Sequence, residues 1–159
     1  MFQYTYKTPL GPLTLAEENG SLTNCSFGTS AKLPQNADIR ETKLLKEAWR
    51  QLQQYFNGER KTFNLPLAPQ GTAFQQAAWQ ALLTIPYGQT ASYKDMAIKV
   101  GNPKACRAIG MANNKNPIGI IIPCHRVIGS NGKLIGYAGG LDIKQKLLSL
   151  EKKFISSPV

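Results

Sequence analysis

The chain has 159 residues, 42% of them hydrophobic and 18% charged, which is the composition of a globular protein and excludes a disordered one. Its formal charge of +10 is uneven, because residues 1–70 hold eight basic and six acidic side chains whereas residues 71–159 hold eleven and three. A basic half favours a polyanionic partner, most often nucleic acid. No apolar run has the ~18–20 residues of a membrane span, and no secretory signal begins the chain. We therefore expect a cytoplasmic protein with no membrane partner.

Cysteine and histidine are scarce. Cys25, Cys106 and Cys124 are odd in number and widely spaced, so they predict no disulfide framework. Clustered Cys and His ligands, which a zinc site needs, are absent from the sequence, and we expect no bound metal. A lone cysteine is usually a small buried hydrophobe. Cys124 differs because it stands beside the only histidine, His125.

The first segment, residues 1–65, predicts a small α/β domain without a zinc site. Aromatic and polar residues alternate over positions 2–6, as in a half-buried strand, and Asn19-Gly20 between two apolar stretches predicts a hairpin. Apolar positions over residues 40–56 have helical spacing. The Pro- and Gly-rich residues 66–71 predict a linker.

The second segment, residues 72–155, predicts a mostly helical domain, and residues 156–159 a frayed tail. The fold class is therefore α+β, with a strand–helix domain followed by a helical one. Two helix starts show the spacing of a capping box, in which a Ser or Thr precedes a Gln or Asp by three residues. These pairs are Thr72 with Gln75 and Ser92 with Asp95.

A helix pair in this segment resembles a helix-turn-helix. We expect its second helix to run from Pro103 to about Asn113, with Asn102 as the N-cap. That stretch carries Lys104 and Arg107 and no acidic residue. An ordinary helical hairpin is the alternative, but the excess of basic residues favours one that binds DNA.

The chemistry-bearing residues follow an apolar run that ends at Pro123. A cysteine nucleophile reacts as the thiolate and needs a base or a positive charge nearby, and Cys124 is followed directly by His125 and Arg126. Neighbours in an extended chain point to opposite faces. A turn after Pro123, or a bridging water, is therefore needed to connect the thiol with the imidazole.

A basic histidine also needs a group that orients it. The second half of the chain has three acids, of which Asp95 and Asp142 are explained as helix caps, the latter for a helix over residues 143–153. By elimination, Glu151 is the candidate that orients His125.

A larger pattern surrounds these residues. Pro123-Cys124-His125-Arg126-Val127 resembles the active-site signature of the O6-alkylguanine-DNA alkyltransferases, also called methylated-DNA–protein-cysteine methyltransferases. The resemblance extends in type, order and spacing over residues 71–153, and the first segment shares only size and strand–helix character. The further matching stretches are Phe74-Gln75, Trp79, Ile85-Pro86-Tyr87-Gly88, Thr90, Ser92-Tyr93, Gly101-Asn102-Pro103, Arg107-Ala108-Ile109-Gly110, Asn116-Pro117, Tyr137-Ala138-Gly139-Gly140-Leu141 and Glu151.

The resemblance implies a catalytic set and a reaction. Cys124 resembles the alkyl acceptor, His125 the general base that works through a water, and Glu151 the residue that orients it. Asn116 resembles the residue that ties the helix-turn-helix to the reactive loop. The implied reaction is irreversible transfer of an alkyl group to the protein's own cysteine, once per molecule and without a cofactor.

The resemblance also implies a DNA partner, bound by a monomer through the minor groove. Arg107 resembles the side chain that replaces an extruded O6-alkylguanine, and Tyr93 the one that presses on the 3′ phosphate; Lys104 and Arg126 complete the expected DNA-binding set. O4-alkylthymine is a second implied substrate. The implied substrate pocket comprises Val127, Tyr137, Ala138 and Gly139, and Ala138 stands where many relatives have Ser.

Two other functions compete with this one. A cysteine hydrolase using Cys124 and His125 leaves the basic helix pair unexplained, and papain-like pairs are far apart in sequence. A DNA-binding module without activity leaves the Pro-Cys-His-Arg sequence unexplained.

Overall fold

The computed structural model describes residues 1–28 and 36–158, and it begins with a four-stranded sheet covered by a helix. The elements of this first segment are β1 (Phe2–Thr8), β2 (Gly11–Glu18), β3 (Ser21–Phe27), β4 (Asp38–Ile39) and α1 (Lys43–Phe56). The strand order is β3-β2-β1-β4, antiparallel except for β1 with β4. Leu13 and Leu15 of β2 and Leu45 and Leu52 of α1 are fully buried between sheet and helix and form the core there.

The predicted hairpin is confirmed. Asn19 and Gly20 connect β2 to β3 with positive φ angles of 53° and 79°. A two-residue hairpin turn of this kind requires positive φ at both positions, which Asn and Gly tolerate best.

The second segment is mostly helical, which confirms the α+β prediction. Its elements are α2 (Ala73–Leu82), β5 (Ala91–Ser92), α3 (Tyr93–Lys99), α4 (Cys106–Asn114), a 3₁₀ turn (Cys124–Arg126), β6 (Val127–Ile128) and α5 (Leu141–Phe154). Strands β5 and β6 pair in parallel and bring the start of α3 beside the 3₁₀ turn. Among the described residues, none of the helices has the length and apolarity needed to cross a membrane.

Both predicted capping boxes are present. The Thr72 hydroxyl accepts from the Gln75 N–H at 3.1 Å, and the Gln75 side chain accepts from the Thr72 N–H at 2.9 Å. Ser92 and Asp95 make the same two bonds at the start of α3. Each helix thereby satisfies two backbone N–H groups that have no partner within the helix.

The predicted start of α4 is wrong by three residues. The Asn102 side chain accepts from the Lys104 N–H, and the Asn102 carbonyl accepts from the Ala105 N–H at 3.0 Å. These bonds close a turn around Pro103, and the helix begins only at Cys106. An asparagine that bonds the backbone two residues on stabilises a turn as readily as a helix start, and here the turn prevails.

The predicted cap of α5 is also wrong. The N-cap is Gly140, with φ at 98°, and Asp142 lies inside the first turn without making a cap bond. The exposed Asp142 carboxylate instead pairs with Lys146 at 3.1 Å, one helical turn further on.

The outer edge of β3 joins the two segments. The Cys25 N–H donates to the carbonyl of Pro117, and the Cys25 carbonyl accepts from the N–H of Gly119, both at 2.8 Å. Leu22 makes the corresponding pair of bonds with Pro66 and Ala68. The segment that leads to Cys124 is thus held against the first sheet.

Candidate active site

The thiol, the imidazole and the guanidinium all lie on one tight turn. Pro123 precedes the 3₁₀ turn, and its carbonyl accepts from the N–H of Arg126 at 3.0 Å. A turn after Pro123 is therefore present, which is one of the two ways in which the sequence allows Cys124 and His125 to cooperate. The turn is almost fully enclosed, since Cys124, His125 and Arg126 are only 5%, 0% and 6% exposed.

Glu151 on α5 holds this turn through hydrogen bonds from His125 and Arg126. Its Oε2 accepts from His125 Nε2 at 2.6 Å and from the Tyr55 hydroxyl at 2.6 Å, and its Oε1 accepts from the Gly88 N–H at 3.0 Å. Arg126 reaches both oxygens, with Nε 2.8 Å from Oε1 and Nη2 3.1 Å from Oε2. Burial alone raises the pKa of Glu151, but its bonds and charge interactions with His125 and Arg126 outweigh that effect and hold the pKa at about 2. The group is a carboxylate at neutral pH.

These contacts fix the protonation of the histidine. Burial is the main cause that lowers the pKa of His125, and the nearby Glu151 only partly opposes it, so the imidazole is neutral near pH 7. Since Nε2 faces a carboxylate, the hydrogen-bond pattern assigns the proton to Nε2. Nδ1 then carries the free electron pair, and it is buried without a hydrogen-bond partner in the part of the chain that the structure describes. The histidine is held as a base.

Asn116 and Lys144 both lower the pKa of the Cys124 thiol. Burial raises the pKa of Cys124, whereas a hydrogen bond from Asn116 and the charge of Lys144 pull it down. Asn116 also donates to the Ile122 carbonyl at 2.9 Å and accepts from the Ile118 N–H at 3.0 Å. It therefore braces the segment between α4 and the reactive turn.

Two cavities meet at Asn114, Cys124 and Tyr137. The first, of about 500 Å³, is lined by Tyr93, Cys106, Arg107, Gly110, Met111, Asn113, Asn114, Cys124, Ile135, Gly136 and Tyr137. The second, of about 300 Å³, is lined by residues 24–27, 114–117, Gly119, Cys124 and 137–139. A group placed at Cys124 can thus contact both spaces, and Tyr137, Ala138 and Gly139 of the expected pocket line the second.

The helix pair lies along the first cavity. The exposed Arg107 and the partly buried Tyr93 both line it, and the Tyr93 hydroxyl donates to the Ile135 carbonyl at 2.7 Å. Lys104 is exposed in the turn before α4. These three of the four expected DNA-binding side chains lie where a duplex could reach them.

Arg126 is the exception, and its expected contact with DNA is wrong. It is buried, with two bonds to Glu151 and a third from Nη1 to the Ile85 carbonyl at 2.7 Å. Its guanidinium also lies 5.7 Å from the centre of the Tyr87 ring. A side chain so enclosed has no surface to offer a phosphate, and its role is to compensate the charge of Glu151.

Val127 also departs from the expected pocket. It is completely buried, lines neither cavity, and its carbonyl accepts from Lys144 Nζ at 2.6 Å. Pairing of β6 with β5 turns it into the core.

Lys144 is the residue that the sequence reasoning missed. Only 1% of it is exposed, and its ammonium donates to the carbonyls of Val127, Ile135 and Gly136 at 2.6, 3.1 and 3.2 Å. Three acceptors match the three protons of an ammonium group. The sequence did offer a signal, because Lys144 lies two helical turns before Glu151 and therefore on the same face of α5.

No group of three or more metal-binding side chains occurs within residues 1–28 and 36–158. The arrangement supports nucleophilic chemistry by a thiol beside a neutral, carboxylate-oriented imidazole.

Comparisons with known proteins match most of the chain. Residues 73–153 match the family model "6-O-methylguanine DNA methyltransferase, DNA binding domain", and residues 1–69 match "6-O-methylguanine DNA methyltransferase, ribonuclease-like domain". A methylated-DNA–protein-cysteine methyltransferase of Methanosarcina acetivorans is 50% identical over 95% of this chain and 98% of its own length. The constitutive enzyme of that name from Bacillus subtilis is 51% identical over 93% of each chain. A crystal structure of Mycobacterium tuberculosis OGT in complex with DNA superposes with a TM-score of 0.91 at 46% identity, covering 97% of this chain and 94% of the other.

Proposed function

The chain belongs to the 6-O-methylguanine DNA methyltransferase family, and from that premise we propose that it repairs DNA by moving an alkyl group from O6 of guanine to Sγ of Cys124. One observation carries the proposal: Cys124 lies where two cavities meet, on the same turn as a neutral His125 oriented by Glu151. The M. tuberculosis relative, crystallised in complex with DNA, supports DNA as the partner.

The transfer is a single displacement at the alkyl carbon. The thiol proton of Cys124 passes, through a water, to Nδ1 of His125, and the resulting imidazolium is stabilised by the carboxylate of Glu151. The thiolate then forms a carbon–sulfur bond as the carbon–oxygen bond to guanine breaks, and guanine leaves with the bonding electrons. The product is a stable thioether, so each molecule reacts once.

The burial of the thiol supports base flipping. A guanine O6 inside a duplex cannot approach a cysteine that is only 5% exposed, so the base must leave the stack at a cost of a few kcal/mol. Arg107, exposed beside the first cavity, is suited to fill the gap because its planar cation can stack on bases and donate hydrogen bonds. Tyr93, in the same cavity wall, presses on the backbone of the target nucleotide as it rotates.

The remaining assignments follow the same family. Residues 1–65 form one domain and residues 72–155 the DNA-binding and acceptor domain, joined by the linker 66–71; in support, one family model ends at residue 69 and the other begins at residue 73. A monomer binds the minor groove through α4, with Lys104 on phosphate, and Tyr137, Ala138 and Gly139 surround the alkylated base. O4-alkylthymine is a second substrate.

The test is a mass measurement on digested protein after incubation with a duplex that holds one O6-methylguanine. We expect one methyl group on the peptide that contains Cys124. Cys106→Ser is the matched control, since Cys106 lines the first cavity too, and it should accept methyl normally. Cys124→Ser should bind the duplex and accept none; methyl transfer to that variant contradicts the assignment.

The same assay separates flipping from chemistry. Arg107→Ala should slow transfer from the duplex far more than transfer from the free alkylated base, because only the duplex requires the gap to be filled. Equal losses on both substrates argue against this role for Arg107.

A further inference from the structure

One of the donors to Glu151 comes from the first segment of the chain. Tyr55 lies on α1, 96 residues away in sequence, and its hydroxyl donates to Glu151 Oε2 at 2.6 Å. The side chain is completely buried, and its ring packs against those of Phe56, Phe63 and Tyr87 with centroids 5.6–6.1 Å apart. The phenol therefore has a fixed place and a single orientation toward the carboxylate.

Tyr55 and His125 share one acceptor atom. Oε2 of Glu151 accepts from both, each at 2.6 Å, and also from Arg126 Nη2 at 3.1 Å, whereas the backbone of Gly88 and Arg126 Nε occupy Oε1. Burial and the nearby Glu151 raise the pKa of Tyr55 far above its usual range, so the phenol keeps its proton and remains a donor. The phenol is the shorter-bonded of the two donors that join His125 on this oxygen, and it helps to fix the rotation of the carboxylate and takes up part of its negative charge.

We propose that Tyr55 is a positioning residue for alkyl transfer, which acts through Glu151 to hold His125 as a neutral base toward Cys124. The inference rests on the proposed function. Without the phenolic proton, Oε2 carries more uncompensated charge, and the imidazolium form of His125 is favoured over the neutral form. The groups that face this pair are Tyr55 of α1, Arg126 of the 3₁₀ turn, the N–H of Gly88, Lys144 of α5, and the phenols of Tyr87 and Tyr137, which also interact with the charge of Glu151.

The direct test is Tyr55→Phe, which removes one oxygen and keeps the ring. We expect the rate constant for methyl transfer from an O6-methylguanine duplex to fall about tenfold near neutral pH, the size expected for a lost hydrogen bond to a charged group. The acidic limb of the rate profile, measured from about pH 5 to about pH 9, should move to higher pH, since a histidine with a raised pKa loses its proton later. A purely structural role would lower stability and leave that limb in place.

Two controls isolate the hydroxyl. Tyr87→Phe removes a second buried phenolic oxygen, one without a hydrogen-bond partner in the described part of the chain, and should leave rate and profile unchanged. In a Glu151→Gln background, Tyr55→Phe should cause no further loss of rate, because a residue that acts only through Glu151 has nothing left to act upon.

The outcomes distinguish this inference from the proposed function. If the unaltered protein methylates Cys124 and Tyr55→Phe does so at the same rate with the same profile, the role of Tyr55 is wrong and the proposed function stands. A tenfold loss that persists in the Glu151→Gln background also overturns it. If the unaltered protein accepts no methyl group, the proposed function itself fails.

Discussion

The Glu151 carboxylate accepts hydrogen bonds from several distant parts of the chain, which the sequence around Glu151 does not indicate. Its side chain is almost fully buried and accepts from three separate stretches of chain, at Tyr55, at Gly88 and at the His125–Arg126 turn. A buried carboxylate is tolerated only when its charge is compensated by such donors. Losing one donor therefore affects the fold and the chemistry together.

Arg126 offers the sharpest test of this view at the residue scale. Arg126→Met keeps much of the apolar stem but removes the permanent positive charge that is paired with Glu151, so we expect a loss of about 3–5 kcal/mol in the free energy of unfolding. Urea denaturation measures this loss. The salt dependence of binding to undamaged duplex should not change, because the guanidinium is enclosed. A flatter salt dependence would restore Arg126 to the DNA-binding set.

Lys104→Ala is the control for Arg126→Met, and we expect it to have the opposite effects on stability and on the salt dependence of DNA binding. Lys104 is exposed in the turn before α4, so its removal should leave the unfolding free energy within about 0.5 kcal/mol. The slope of log affinity against log salt concentration should fall in magnitude by about one, as for one lost phosphate contact. The same denaturation and binding measurements serve both variants.

At the scale of elements, a helix start with a capping box should contribute more to the free energy of unfolding than a helix start without a side-chain cap bond. Ser92 caps α3 with two reciprocal bonds, whereas Asp142 makes no cap bond and only an exposed pair with Lys146. We therefore expect Ser92→Ala to cost about 1 kcal/mol of unfolding free energy and Asp142→Ala less than about 0.5 kcal/mol. Denaturant titration measures both, and equal losses would return Asp142 to the role of a cap.

Local signals account for what the sequence could predict at this scale. The hairpin at Asn19-Gly20 and both capping boxes depend on residues within three positions of one another, and all are present. The start of α4 was mispredicted because Asn102 satisfies a turn and a helix cap equally well. Arg126 was misplaced because a basic residue in a basic segment resembles a DNA contact until its burial is known.

The contacts that could not be predicted from the sequence join residues that are far apart along the chain. The bond from Tyr55 to Glu151 spans 96 residues, and no spacing rule relates the two. Lys144 was within reach, because its place on the same face of α5 as Glu151 follows from helical geometry alone.

For the whole molecule, the buried His125–Glu151 pair predicts that the free energy of unfolding falls in acid. The pKa of His125 lies below its usual value of 6.5 in the folded protein, and that of Glu151 falls from 4.5 to about 2. In both cases the unfolded chain binds the proton first, so the free energy of unfolding must fall as pH falls. We expect one decline below pH 6.5 and a second between pH 4.5 and about 2.

Denaturant midpoints measured across this range would check the two declines. Glu151→Gln should remove the second decline, because the amide does not titrate, whatever its effect on stability at neutral pH. A free energy of unfolding that stays constant from neutral pH to about pH 3 would contradict the assigned protonation states.

The bonds from Cys25 to Pro117 and Gly119 bear on the order in which the molecule assembles. They join positions more than ninety residues apart, so the segment before Cys124 cannot take its final path until β3 exists. Such distant contacts form late, after a large loss of chain entropy. During synthesis the first sheet emerges early, and the segment before Cys124 can pair with β3 only afterwards. We therefore expect Cys124 to become reactive slowly during folding, well after the helices have formed.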